Sequence, residues 1–317
     1  LMCLLLALIG TDQIMLYGLI SVNAILAISH AFSGTSFRSY VVTLVEKDRL
    51  VDFNAKLEVI SQIISISSPL LAFLFVDRFG LKPTLLLDSL TFFLSFALLF
   101  SIRQDEKHVE QPREAASVGA ILRDIREGLL FIFHEKEVFF LLVVAALVNF
   151  FIAAYNYLIP FSNHLFSDSS SYATLLSMGA AGSILGALLA KKLFQNSHTS
   201  LLFSLALSGM GLALITPLAL FGLPAVIISS GNLIFEFFLT IFNIHFFSMV
   251  QKKVPNELLG RVFSSIFTVA VIFMPLATSL MTALPFSVHI LTFAVLGLAI
   301  LLMSGLAFLY SRLNLNE

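Results

Sequence analysis

The chain has 317 residues, of which 58% are hydrophobic and only 12% charged, with a formal net charge of -1. An ordinary soluble domain carries about 25% charged residues, so this composition points to an integral membrane protein. The near-neutral balance excludes an electrostatic footprint for nucleic acid, the single cysteine, Cys3, excludes an internal disulfide or a thiolate metal cluster, and no G-x-x-x-x-G-K-[ST] segment is present to hydrolyse a nucleotide.

Charge is confined to short stretches. Val138 to Ala190 holds only Asp168, Leu193 to Gln251 only Glu236, and Val262 to Ser311 none. Apolar blocks of this length are helical spans, because about 20 residues cross the hydrocarbon and a helix satisfies its own backbone. Barrel strands would instead alternate over about ten residues. In chain order, Leu1 to Gly10 comes first, apolar but without preceding basic residues, so it is not expected to be a signal peptide. Ten residues reach about 15 Å as helix, half a bilayer, which makes this block a remnant or an unfinished helix. Nine full spans follow, over 14–37, 57–76, 83–102, 138–161, 172–190, 199–221, 224–250, 262–283 and 287–311.

Orientation follows from Lys and Arg, which stay on the cytoplasmic side. With the polar stretch from Gln104 to Lys136 inside, alternate loops place 16 of the 18 basic residues inside and only Arg78 and Lys82 outside. The same stretch is the longest polar segment. Within it Val118, Ile121, Leu122, Ile125, Leu129 and Ile132 recur at helical spacing, with Arg123, Asp124, Arg126 and Glu127 opposite, predicting an amphipathic helix on the inner membrane surface. The expected organisation is an incomplete N-terminal helical bundle over 1–102, a linker with that helix over 103–136, and a C-terminal six-helix bundle over 137–317. The two halves also echo each other: "LVEKDRLVDFNAK…SSPLL" (44–71) and "VPNELLGRV…MPLAT" (254–278) each run from a polar inner loop into a span with a proline about twenty residues on.

Inside the spans, polar residues form stripes. On a helix of about 100° per residue, with Glu236 at zero, Ser229 lies at about +20°, Asn232 at about -40°, Thr240 at about +40° and Asn243 at about -20°. Glu236 is close to the middle of its span, where a carboxylate costs several kcal/mol unless it faces a bundle interior or water. It is therefore the leading binding or coupling candidate, the alternative being a hydrogen-bonded contact that glues helices together. Asn149, Asn156 and Asn163 recur every seven residues on one span, and Asn23, His30 and Gly34 form a similar stripe on the first full span. His245 lies opposite the Glu236 stripe near the inner end and is expected to be interfacial. Glu58 is expected to be a solvated carboxylate at the mouth of its helix. Gly182-x-x-x-Gly186 predicts a close helix contact.

"AFSGTSFRSYVVTLVEKDRLVDFNAK", "LLLDSLTFFLSFALLF", "IREGLLFIFHEKEVFFLLV" and "LLGRVFSSIFTVAVIFMPL" resemble the major facilitator superfamily, specifically its drug or macrolide efflux-like branch. The resemblance implies an all-α membrane fold of twelve helices in two bundles of six, with a central cavity lined by helices one, four, seven and ten. On that frame the spans after the linker are helices seven to twelve, those before it four to six, and the first two helices with most of the third are lacking. The stripes with Asn23 and His30, with Asn149 and Asn156, and with Ser229, Asn232, Glu236, Thr240 and Asn243 then fall on cavity helices four, seven and ten. Two features depart from the pattern. "SISSPLLAFLF" keeps Pro69 but none of the glycines that usually accompany antiport. "VDRFGLKP" looks like an inner-loop motif of the family, yet the topology places it outside.

These residues point to a multi-pass secondary active transporter in a bacterial inner membrane, exporting a small amphipathic compound or drug on an ion gradient, with H+ the expected coupling ion. The lipid bilayer and the small-molecule substrate are its expected partners, and no cofactor is expected. A lipid or lysophospholipid flippase of the same fold, and a truncated remnant that transports nothing, are the alternatives. An enzyme is not expected, because "HEKE" (134–137) falls in a loop without partner histidines.

Overall fold

The computed structural model describes residues 3, 6, 12–101, 118–194, 197–284 and 286–315; most of the Leu1 to Gly10 block and the first part of the linker lie outside them. The described residues are helical almost throughout, with no strand among them. Ten long helices follow one another: α1 (Asp12–Leu44), α2 (Leu50–Phe79), α3 (Leu81–Ser101), α4 (Val118–His134), α5 (Lys136–Leu158), α6 (Ser171–Leu193), α7 (His198–Leu220), α8 (Ala225–Lys253), α9 (Leu259–Ala283) and α10 (Ile290–Asn314). Among the described residues seven of these, α3 and α5 to α10, are long and apolar enough to cross a membrane. The spans expected over 14–37 and 57–76 lie within α1 and α2, several of whose side chains are outside the described set.

Helix boundaries follow local chemistry. The Ser197 hydroxyl accepts the Ser200 N–H at 3.2 Å at the start of α7, and His289 Nδ1 accepts the Leu291 N–H at 3.1 Å at the start of α10. Lys191 and Lys192 close α6, and Lys252 and Lys253 close α8, placing cations at the negative ends of the helix dipoles. Gly80, with φ of 81°, makes the turn between α2 and α3.

The chain divides into two compact units. One comprises residues 1–37 and 64–122, and the other 38–63 and 123–317. The first has a small core around Cys3, Leu6, Met15, Val22 and Leu85. In the second, α8 packs between α6 and α7, α7 lies along α10, and α5 lies along α9, around a core that includes Tyr155, Phe235, Phe242, Phe263 and Phe293. The α6–α8 crossing is close enough that a Cβ on Gly182 or Gly186 would collide with the carbonyl oxygens of Leu233 and Phe237, the contact expected from their spacing.

The second unit also contains the opening turn of both copies of the sequence echo. Each copy folds as a one-turn 3-10 segment leading into a long helix: Lys47–Arg49 before α2 and Asn256–Leu258 before α9. The flanking torsions nearly coincide, with φ/ψ of -56°/141° at Glu46 against -56°/143° at Pro255, and -60°/-38° at Leu50 against -54°/-46° at Leu259. Corresponding residues stand 209 positions apart. Leu50 and Leu259 are both fully buried, so the apolar residue that anchors each turn does the same work in each copy.

Helix α4 forms as expected and is the most strongly amphipathic of the helices. Within the second unit its Gly128 sits against the backbone of Arg261, where a Cβ would come within 2.9 Å of the carbonyl oxygen. Glu127 accepts a hydrogen bond from Arg261 at 2.5 Å, and Ile132 is fully buried.

Candidate functional site

The stripe on α8 is the natural place to look, and its residues do not share one environment. Asn232 is buried and held on two sides: the Tyr155 hydroxyl of α5 donates to its Oδ1 at 2.6 Å, and its Nδ2 donates to the Leu175 carbonyl of α6 at 2.8 Å. The Tyr155 ring meets Phe235 edge-on at 5.0 Å. Glu236, one turn further along, is partly buried, and the Ser183 hydroxyl of α6 donates to its Oε2 at 3.2 Å. Among the described residues no cation pairs with it. Ser229 is fully buried, with a hydroxyl that finds no hydrogen-bond partner among the described residues. Thr240 is buried and Asn243 partly buried.

Gly179 of α6 makes this arrangement possible. A Cβ there would lie 2.7 Å from Asn232 Nδ2 and 3.2 Å from Glu236 Cγ, so the missing side chain leaves room for both polar groups against α6. Tyr155, Gly179 and Ser183 are the contributors that a reading of α8 alone misses. Ser183 was visible within "GAAGSILGALLA", but its partner depends on the parallel register of α6 against α8.

The other candidates are placed differently. Asn149 turns its Nδ2 back onto the Ala145 carbonyl of its own helix at 2.9 Å, and Asn156 is exposed; neither is hydrogen-bonded to the α8 stripe among the described contacts. The side chains of Asn23 and His30 lie outside the described residues. His245, expected at an interface, is instead 1% exposed. Its ring meets the Ala190 carbonyl at the end of α6, because α8 has neighbours on both faces. Glu58, expected in solvent, is partly buried and accepts a hydrogen bond from Gln62 Nε2 at 2.8 Å.

A second polar assembly occupies the end of the unit where α8 finishes. Asn54 Nδ2 donates to Ser248 Oγ at 3.0 Å and to Gln251 Oε1 at 2.8 Å, and Gln251 Nε2 donates to the Arg38 carbonyl at 3.1 Å. The Arg38 guanidinium lies 3.3 Å above the centre of the Phe247 ring. Glu137 at the start of α5 pairs with Lys253 and approaches His198 Nε2 at 3.6 Å. At the opposite end, the backbone N–H and hydroxyl of Ser170 both donate to Asp168, at 2.8 Å each, and hold its carboxyl below the ordinary carboxylate range. Among the described residues no group of three or more His, Cys, Asp or Glu side chains could hold a metal ion.

The family description "Major Facilitator Superfamily" matches residues 1–278. The chain belongs to the major facilitator superfamily. As a member of the superfamily it is a multi-pass membrane transporter and not an enzyme, and its all-helical architecture agrees. The fold is similar to that in the crystal structure of a bacterial homologue of the iron transporter ferroportin in the outward-facing state, with a TM-score of 0.69 and 17% identity, covering 94% of this chain and 74% of that one. At that identity the likeness concerns the superfamily fold alone. None of the curated proteins matches this chain.

Proposed function

We propose that this superfamily member is a secondary active transporter of the drug or macrolide efflux-like branch. It exports a small amphipathic compound across a bacterial inner membrane on a proton gradient, with residues 104–136 on the cytoplasmic side. The observation that carries the reading is Glu236: a carboxyl midway along a membrane helix, touched by one hydroxyl and paired with no cation among the described residues. A group placed there for stability alone would be expected to have partners on both its polar atoms, as Asn232 has. A carboxyl with an under-used oxygen pair can take a proton on one side and release it on the other, or bind a cationic substrate. Thr240 and Asn243 extend the polar stripe beside it, while Asn232 and Tyr155 hold the helices that position it.

The test is dye efflux by the full chain in proteoliposomes at a series of external pH values, with a lipophilic cationic dye as substrate probe. Glu236→Gln keeps the shape and the Ser183 contact but removes the exchangeable charge. It should insert and fold like the parent while losing the pH dependence of efflux. An unchanged pH profile in Glu236→Gln, together with failure of Glu236→Ala to accumulate, would make the residue interhelical glue. Movement of a fluorescent lysophospholipid with none of the dye would replace drug export with lipid flipping.

A further inference from the structure

Helix α4 has an outward face that the transport reading leaves unused. Gly128 and Ile132 fix the opposite face within the second unit, so the outward face has a defined direction. On it lie Arg123, Arg126, Leu130 and Phe133, within a stripe of about 80° at helical periodicity. Arg126 is exposed, and the side chain of Arg123 is 63% exposed. Leu130 and Phe133 are 45% and 63% exposed, an unusual outlay of apolar surface on a polar linker. Glu127, which meets Arg123 only at 3.9 Å, is drawn aside by Arg261 at 2.5 Å. Beyond the helix, exposed Glu135 stands between exposed His134 and Lys136.

The order along the face is informative. The basic residues come first and the apolar ones last, and the apolar end is joined through the single residue Glu135 to α5, a membrane span. The Phe133 ring packs on Phe139 of that span with centroids 5.5 Å apart. The apolar end is therefore anchored at the mouth of a span, while the guanidiniums stand two to three turns away along the same face. We infer that this face is a binding surface for anionic phospholipid headgroups, with Leu130 and Phe133 entering the acyl boundary and Arg123 and Arg126 engaging phosphates. Arginine suits the task, since its fork donates to two phosphate oxygens together. The assignment rests on the family fold and not on the coupling role of Glu236, so the two stand or fall separately.

The test uses the full chain in detergent with added phosphatidylglycerol or phosphatidylcholine, and counts retained lipid by native mass spectrometry. Phosphatidylglycerol should be retained preferentially. Arg123→Gln and Arg126→Gln should each weaken that preference about fivefold, and Lys56→Gln, on a different surface, should leave it unchanged. A spin label at Phe133→Cys in a Cys3→Ser background should be accessible to oxygen and shielded from a water-soluble nickel reagent in phosphatidylglycerol nanodiscs. Equal retention of the two lipids, or a label open to nickel, would overturn the assignment. Dipolar broadening between labels would also overturn it, giving the face to a second copy of the chain.

Discussion

The middle and the end of α8 are both polar, and they use polarity in opposite ways. At the end, partners come in sets: Asn54 reaches both Ser248 and Gln251, Gln251 reaches on to Arg38, and Glu137 meets Lys253 and His198. In the middle, Asn232 has a partner at each end of its amide, Tyr155 and Leu175, but Glu236 has one hydroxyl and Ser229 has no hydrogen-bond partner among the described residues. Burying a polar group without a partner costs free energy, so full sets argue for a structural role and shortfalls argue for a chemical one. The difference separates residues that a stripe on a helical wheel would treat as equals.

That contrast can be broken most severely through the α6–α8 crossing. Gly182→Val drives side-chain atoms into the Leu233 carbonyl and should destabilise the unit by about 1–3 kcal/mol or more, seen as poor membrane accumulation and a lowered melting temperature in detergent. Asn54→Ala addresses the end of α8 alone. It leaves Gln251 Oε1 without its donor, and a loss of about 1–3 kcal/mol is expected from thermal unfolding. Tyr155→Phe removes the 2.6 Å hydrogen bond to Asn232 at constant shape. Within a membrane bundle that costs about 0.6–1.7 kcal/mol, so it should lower the melting temperature slightly and leave the pH profile of efflux intact, unlike Glu236→Gln.

The smallest effect belongs to Asp168, which lies in neither region and serves as a reference. Its carboxyl is held below the ordinary value of 3.8 by the Ser170 backbone N–H and then by the Ser170 hydroxyl. The folded pKa is depressed, so its contribution is present above that ordinary value and fades as pH falls through the lower folded one. Melting temperatures of the parent and Asp168→Asn should differ slightly at neutral pH and converge in strong acid.

Much of the architecture was legible because bilayer thickness is a ruler: uncharged runs of about 20 residues have few other uses. The Gly182 and Gly186 contact was legible for a similar reason, since a smooth small-residue ridge suits another helix. What a single helix could not reveal was who stands beside it. Ser183 and Tyr155 became partners of Glu236 and Asn232 only through the register of α6 and α5 against α8. The inference for His245 assumed that one face of α8 is inward and the other outward, whereas α6 and α7 leave it no outward face at that turn. Asn149 and Asn156 share a helical face and still differ in exposure, because periodicity gives direction without giving neighbours.

The stacking of Arg38 on Phe247 carries a consequence for symmetry. These two residues are separated by the same 209 positions that separate Glu46 from Pro255, so each occupies the other's place in its own copy of the repeat. Were the two copies identical at this position, one residue type would face itself, and two guanidiniums at that spacing would repel each other. Within one polypeptide the two copies carry no obligation to be identical. One copy supplies the cation and the other the ring, an asymmetric embrace that two identical copies could not form.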